Sequence, residues 1–119
     1  MDYLSFFRMH QKIVKDFEDL YVYKIPREFN ALSLMNEQLC EMHAWLMEQD
    51  RTHKTSPLYK KVVEDHKTFH KCVGEIAYLK ERGRSDWGED LVKKDGNIYR
   101  CLDRLQESLF DYARMANLD

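Results

Sequence analysis

The spacing of apolar residues in the first half of the chain predicts two amphipathic helices. In residues 3–24, aromatic and apolar side chains recur every three or four positions, which is the period of one helical face. These residues are Tyr3, Phe7, His10, Val14, Phe17 and Tyr21. Pro26 ends the pattern, because proline disfavours the α conformation in the residue before it. A second helix is expected from Asn36 to about Glu48, and residues 27–35 stay unassigned. Its expected face comprises Leu39, Cys40, His43, Leu46 and Met47.

The third helix has clear start and stop signals. The polar residues 49–56 are typical of a loop. Ser56 and Pro57 then predict a helix start, because the hydroxyl can cap the first turn and proline fits within it. The helix is expected to run to about Arg82, with Gly83 ending it. Its apolar face comprises Tyr59, Val62, Val63, His66, Phe69, His70, Val73 and Ala77.

A fourth helix is expected from Asp86, because Asp86 and Glu89 have the spacing of a capping box. Its expected core residues are Leu91, Ile98, Leu102, Leu105, Leu109 and Tyr112. Asp95 and Gly96 are expected to kink or divide it. Four amphipathic helices with short connections predict an all-α fold, an antiparallel four-helix bundle with a metal site between its helices. With no linker or repeat, residues 1–119 are expected to form one domain.

Composition supports a helical core and excludes several functions. Apolar residues make up 44% of the chain, enough to exclude disorder, while glycine and proline together number only six. Lys and Arg number 19 against 21 Asp and Glu, for a net charge of -2. This balance argues against nucleic-acid binding, which needs a basic excess to displace counterions. It also gives no support to a polybasic membrane patch.

The chain carries no sequence signal for export or membrane insertion. No apolar run approaches the roughly 18 residues needed to cross a bilayer, and the first residues lack the basic start and apolar stretch of a secretory signal. The three cysteines, Cys40, Cys72 and Cys101, are odd in number and widely spaced, which does not suggest a disulfide framework. A reducing cytoplasm is therefore the expected location.

The first predicted helix has more apolar surface than one core face needs. Apolar residues partly off its main face are Leu4, Phe6, Met9, Ile13, Val22 and Tyr23. A helix that is apolar on two sides usually has a second partner, which predicts a homodimer interface. A wider stripe packed inside one molecule explains the same pattern, and the sequence leaves both open.

Histidines on apolar helix faces are the main candidates for functional residues. His66 and His70 are four residues apart, so both rings project from one face of the third helix. One such histidine is typical of a hydrogen-bonded core residue, whereas a pair at this spacing also suits a metal. His10 and Cys40 lie on the apolar faces of their own helices, so three imidazoles and one thiolate could form a tetrahedral zinc set. His43, one turn beyond Cys40, is a fifth candidate ligand.

The segments around these residues resemble a known family. Residues 39–46, LCEMHAWL, resemble the Cys-x-x-Gly-x-Trp element of the bacterial chemoreceptor zinc-binding (CZB) domain. Residues 56–59, SPLY, and 66–70, HKTFH, resemble that family's Pro-x-Phe followed by His-x-x-x-His. His10 precedes Cys40 by 30 residues, about where the family's first-helix histidine belongs.

The resemblance implies a four-helix zinc-binding regulatory domain rather than an enzyme. The ligands it implies for Zn²⁺ are His10, Cys40, His66 and His70. Domains of this family sit on chemotaxis receptors or diguanylate cyclases, or stand alone, and some respond to oxidants at the cysteine. The implied output is therefore chemotaxis or cyclic-di-GMP synthesis, through a separate or fused signalling protein. His43 stands where the family has glycine. This difference leaves open whether Cys40 or His43 is the residue of the second helix that binds metal.

The chemistry of such a site agrees with regulation. Four protein ligands fill the coordination that zinc prefers and leave no position for a substrate. A thiolate ligand can be oxidised, which would weaken the metal site. Each histidine should also donate its other ring nitrogen to an acceptor, for which Glu37, Glu41 and Asp103 are candidates.

Two other functions fit parts of the pattern. A hemerythrin-like di-iron or oxygen-binding bundle would use His10, His43 and the His66–His70 pair, but it also needs bridging carboxylates and a histidine on the last helix. No histidine follows His70. In a metal-free interaction bundle, the same residues would only pack in the core.

Overall fold

Helices form all of the regular secondary structure in the computed structural model, which describes residues 2–93 and 96–117. In chain order the α-helices are α1 Tyr3–Tyr21, α2 Ala31–Met35, α3 Glu41–Met47, α4 Arg51–Lys54, α5 Pro57–Glu81, α6 Ser85–Val92 and α7 Asn97–Met115. A 3-10 turn, Glu37–Leu39, lies between α2 and α3. The expected all-α class is confirmed, but seven helical segments in the described residues replace the four predicted helices.

The two long helices in the first two-thirds of the chain, α1 and α5, each begin at a side-chain cap. Asp2 accepts a hydrogen bond from the Ser5 amide at 2.9 Å at the start of α1. Ser56 accepts one from the Leu58 amide at 3.1 Å, directly before Pro57, so the predicted start of α5 is confirmed. After α5, Gly83 has a φ of 74°, a left-handed conformation that glycine adopts without strain.

The continuous second helix predicted from Asn36 to Glu48 is wrong. The side chain of Asn36 accepts a hydrogen bond from the Gln38 amide and starts the 3-10 turn instead. Cys40 is extended, with φ −83° and ψ 136°, and α3 begins only after it. Asparagine favours such caps because its side chain competes for backbone amides.

Because of this break, part of the predicted face of the second helix does not enter the core. Leu39 is 67% exposed and Met47 is 47% exposed, whereas Leu46 is buried. The predicted loop 49–56 also contains a short helix, α4.

The predicted fourth helix is divided in two, as expected from its glycine. Helix α6 ends at Val92, and Gly96 directly precedes α7. Asp95, the other half of the predicted break, lies outside the described residues. The predicted capping box is wrong, because α6 begins at Ser85 and Asp86 lies inside its first turn.

The core lies along α5, which packs against α7 and α2, while α1 packs against α7. The molecule measures 46 × 24 × 22 Å. At Gly74 of α5, α2 comes so close that an added Cβ would lie 2.6 Å from Cβ and 2.7 Å from Cα of Met35. Within the described ranges, no helix combines the length and apolar character needed to cross a membrane.

Candidate metal centre

Four metal-ligating side chains meet between α1, α5 and the segment before α3. Their ligand atoms all lie within 4.8 Å of one another, and we call this group the His3Cys cluster. It comprises His10, Cys40, His66 and His70. The three histidines are buried and the cysteine is half-buried. The structure thus brings together all four residues that the sequence predicted as ligands.

His10 is held in the orientation of a ligand by the backbone of its own helix. Its Nδ1 lies 2.7 Å from the carbonyl oxygen of Phe6, one turn earlier. A carbonyl oxygen can only accept, so this contact places the proton on Nδ1 and leaves a lone pair on Nε2. That Nε2 lies 3.6 Å from Sγ of Cys40. Zinc bonds of about 2.0–2.1 Å to nitrogen and 2.3 Å to sulfur would place two tetrahedral ligands about 3.5 Å apart.

His70 repeats this arrangement with a carbonyl from a different helix. Its Nδ1 donates to the carbonyl oxygen of Leu34 in α2 at 2.9 Å, which again leaves Nε2 as the free lone pair. The close contact at Gly74, one turn along α5, brings α2 within reach of His70. Both observed acceptors are thus main-chain carbonyls and not the candidate carboxylates of Glu37, Glu41 or Asp103, for each of which the sequence favours a solvated position.

Two ring nitrogens in the cluster lack the partner that a buried polar atom usually has. Nε2 of His66 and Nε2 of His70 are buried, and neither has a hydrogen-bond partner among the described residues. Leaving such an atom unsatisfied costs about 1–3 kcal/mol. The rings of His66 and His70 lie edge to face with centroids 4.6 Å apart, and the ring of His10 lies 5.3 Å from that of His66.

Burial also keeps the histidines in the form that binds metal. It lowers the pKa of His10 to about 4 and the pKa of His66 to about 2, and it lowers the pKa of His70 as well. All three imidazoles are therefore neutral at pH 7. Burial raises the pKa of the Cys40 thiol, and the nearby amides of Met42 and His43 offset part of this effect.

Cys40 is the member of the cluster nearest to solvent. Together with Met9 and Ile13 of α1 and with His70, it lines a surface cleft. Sδ of Met9 lies 3.8 Å from Sγ of Cys40, a contact that the sequence analysis missed. The only sequence signal for it is that Met9 adjoins His10. This cleft offers an ion an entry path to the buried nitrogens.

The remaining candidates lie outside the His3Cys cluster. His43 is half-buried and close enough for its charge to oppose protonation of His66, but it is not one of the four converging residues. Trp45 packs against Phe6 and Tyr112, with ring centroids 5.2 and 6.1 Å away, and is therefore a packing residue.

No carboxylate belongs to the cluster in residues 2–93 and 96–117. A di-iron centre of the hemerythrin type requires bridging carboxylates, so the site lacks the donors of that alternative. Nitrogen and sulfur donors are those of zinc sites.

Comparison of the chain with protein-family models, with curated proteins and with solved structures found no match.

Proposed function

We propose that the protein binds one zinc ion through the His3Cys cluster and uses this site to regulate a signalling output. The observation that carries the proposal is the pair of buried Nε2 atoms of His66 and His70 without hydrogen-bond partners among the described residues. A zinc ion would accept both lone pairs and remove the free-energy cost of leaving them unsatisfied. Neutral imidazoles are the protonation state that such binding needs.

The donor set favours zinc in a regulatory role. Three histidines and one cysteine saturate tetrahedral zinc, so no position is left for a substrate or an activated water. This arrangement agrees with the resemblance to the CZB family, and we assign the chain to that type of sensor. Its outputs would then be chemotaxis or cyclic-di-GMP synthesis. A reducing cytoplasm is the compartment in which the Cys40 thiol would stay available to the metal.

As partners we propose a second copy of the chain and a signalling protein, separate or fused. Support comes from the exposed apolar side chains at the two ends of α1, Leu4 on one end and Val22 and Tyr23 on the other. Phe6, in contrast, is buried, so part of the excess apolar surface belongs to the core. Sedimentation equilibrium of the purified protein tests the dimer.

The zinc proposal is tested by substituting one buried ligand and one control histidine. We expect the purified chain to bind one zinc per molecule, and His66→Ala to lower both the zinc content and the melting temperature. His53→Ala is the matched control, because His53 lies outside the cluster and contacts Tyr112 instead. Elemental analysis and thermal unfolding provide the two measurements.

Three results would contradict this assignment. Unchanged zinc content in His66→Ala would remove His66 from the ligand set. A wild-type protein that binds no zinc when supplied with it would be a metal-free interaction bundle. An iron-type absorption spectrum in the purified protein would favour the hemerythrin-like alternative.

We further propose that oxidants act on the zinc site through Cys40. A peroxide would take the Cys40 thiolate to sulfenic acid with release of water, and the modified sulfur would bind zinc more weakly. The half-buried position of Cys40 beside the cleft gives a small oxidant access to the sulfur. Residues 36–48 would then lose an attachment to α1 and α5, while the long helices keep their own packing.

Hydrogen peroxide, a zinc-release dye and hydrogen exchange together test this step. We expect one equivalent of peroxide to release zinc and to raise amide exchange mainly in residues 36–48. The double variant Cys72→Ser, Cys101→Ser serves as control, because it retains Cys40 as its one thiol and should release at least as much zinc per equivalent of peroxide. Retained zinc, or exchange that rises equally in all helices, would make the metal a structural clamp and not a redox sensor.

A further inference from the structure

A pair of thiols lies outside the His3Cys cluster, between α5 and α7. Cys72 is on α5 and Cys101 is on α7, and each is only 5% exposed. Both are free thiols. Nothing in the sequence pairs these two cysteines, because 29 positions separate them.

One asparagine connects the two sulfur atoms. Nδ2 of Asn97 donates to Sγ of Cys72 at 3.5 Å, and Sγ of Cys101 lies 3.9 Å from Oδ1 of the same side chain. Asn97 and Cys101 are one turn apart on α7, so the amide is held in register with both thiols. Because both sulfurs contact the same side-chain amide, the two thiols are neighbours in the interface between α5 and α7.

The surroundings of Cys101 favour its reactive form. The hydrogen bond from Cys72 and the charge of Arg104 lower the pKa of Cys101, against the opposing effect of burial. The thiolate is the nucleophile in thiol chemistry, so Cys101 is the sulfur that would react first. A thiol partner beside it is the arrangement in which an oxidised cysteine is resolved to a disulfide.

We propose that Cys72 and Cys101 form a redox-active dithiol that a hydroperoxide converts into a disulfide between α5 and α7. The Cys101 thiolate attacks the peroxide, the O–O bond breaks, and a sulfenic acid and an alcohol or water result. Cys72 then attacks the sulfenic sulfur, the S–S bond forms, and water leaves. Two thiols lose two electrons in all, and the peroxide is reduced by the same two. This reaction does not depend on the metal site.

Peptide mapping can detect this bond directly. Trypsin cleavage after Lys71 and Lys80 releases residues 72–80, and cleavage after Arg100 and Arg104 releases residues 101–104. We expect hydrogen peroxide to produce a linked pair of these peptides under non-reducing conditions, lighter by two hydrogen atoms than the two peptides together. Dithiothreitol should restore the original mass.

Variants separate this pair from the zinc site. Cys40→Ser should form the same linked peptides, whereas Cys72→Ser and Cys101→Ser should each lose them. The mapping of the wild-type protein needs no substitution, so a variant that fails to fold does not remove the test. Linkage of Cys40 to either partner, or sulfinic acid at Cys101 without a linked peptide, would overturn the proposal. Loss of the link in Cys40→Ser would do so as well, because the reaction would then depend on the metal site.

Discussion

Main-chain carbonyls set the chemistry of two of the three histidines. Phe6 accepts from Nδ1 of His10 and Leu34 accepts from Nδ1 of His70, and this leaves the lone pair of each imidazole on Nε2. A carbonyl acceptor remains in place when nearby side chains are substituted, because it belongs to the backbone. The orientation of these two imidazoles therefore depends more on helix geometry than on any neighbouring side chain.

His43 is the residue whose role is tested most simply. We expect His43→Gly to bind zinc with the same stoichiometry and with equal or higher affinity, because four other side chains already converge. A competition titration with a zinc chelator of known affinity provides the measurement. His43→Ala is the companion variant, because glycine inside a helix costs about 1 kcal/mol relative to alanine and could lower stability by itself. A large loss of affinity in both variants would place His43 among the ligands.

Among the elements, α2 has only five residues but contacts both the candidate site and α5. It supplies the Leu34 carbonyl to His70, and it reaches α5 through the contact of Met35 with Gly74. The packing of α2 against α5 therefore affects the orientation of the His70 ring.

Substitution of Gly74 tests this coupling. In Gly74→Ala the new Cβ would approach the backbone of Met35 to within 2.7 Å, so α2 must move away. We expect a loss of about 1–3 kcal/mol in the free energy of unfolding, in the range of overpacked cores, and a lower zinc affinity because the Leu34 carbonyl withdraws from His70. Urea unfolding and zinc titration measure the two effects.

The exposed Lys71→Ala on the same helix is the matched control and should change neither quantity. If Gly74→Ala loses stability but binds zinc as tightly as the wild type, α2 does not orient His70.

The elements that the sequence predicted well are those with strong local signals. Ser56 and Pro57 predict the start of α5, and the period of three or four places His66 and His70 on its buried face. The break at Cys40 was not predicted, because the apolar spacing on both sides of it continues in phase. It follows from the side chain of Asn36, which caps the 3-10 turn. The hydrogen bond from His70 to the Leu34 carbonyl could not be predicted from sequence, because every residue type carries a main-chain carbonyl.

The molecule as a whole does not need the cluster for its core. Large buried side chains lie along α1, α5 and α7 away from the cluster, including Phe17, Ile76 and Leu105. We therefore expect the metal-free protein to stay folded, unlike zinc-finger peptides, which unfold without metal.

Metal removal checks this expectation. After chelation we expect the helical circular dichroism signal to persist and the melting temperature to fall. Free zinc at 100 times its dissociation constant stabilises the folded state by about 2.7 kcal/mol. That corresponds to about 10 °C for a domain of roughly this size. Magnesium, which prefers oxygen ligands, is the control ion and should not restore the melting temperature. Loss of the helical signal on chelation would show that the ion is required for folding.

The contacts around the cluster join distant parts of the chain. The Cys40–His10 contact spans 30 positions and the His70–Leu34 contact spans 36. An ion meeting the unfolded chain would have to close the loop of 30 positions between the candidate ligands His10 and Cys40, which costs more entropy than a short ligand spacing does. On the proposed zinc function, the chain would therefore fold before it is loaded, and the cleft beside Cys40 would admit the ion. A domain loaded in this order could also be emptied without unfolding, so its occupancy would follow the concentration of free zinc throughout its lifetime.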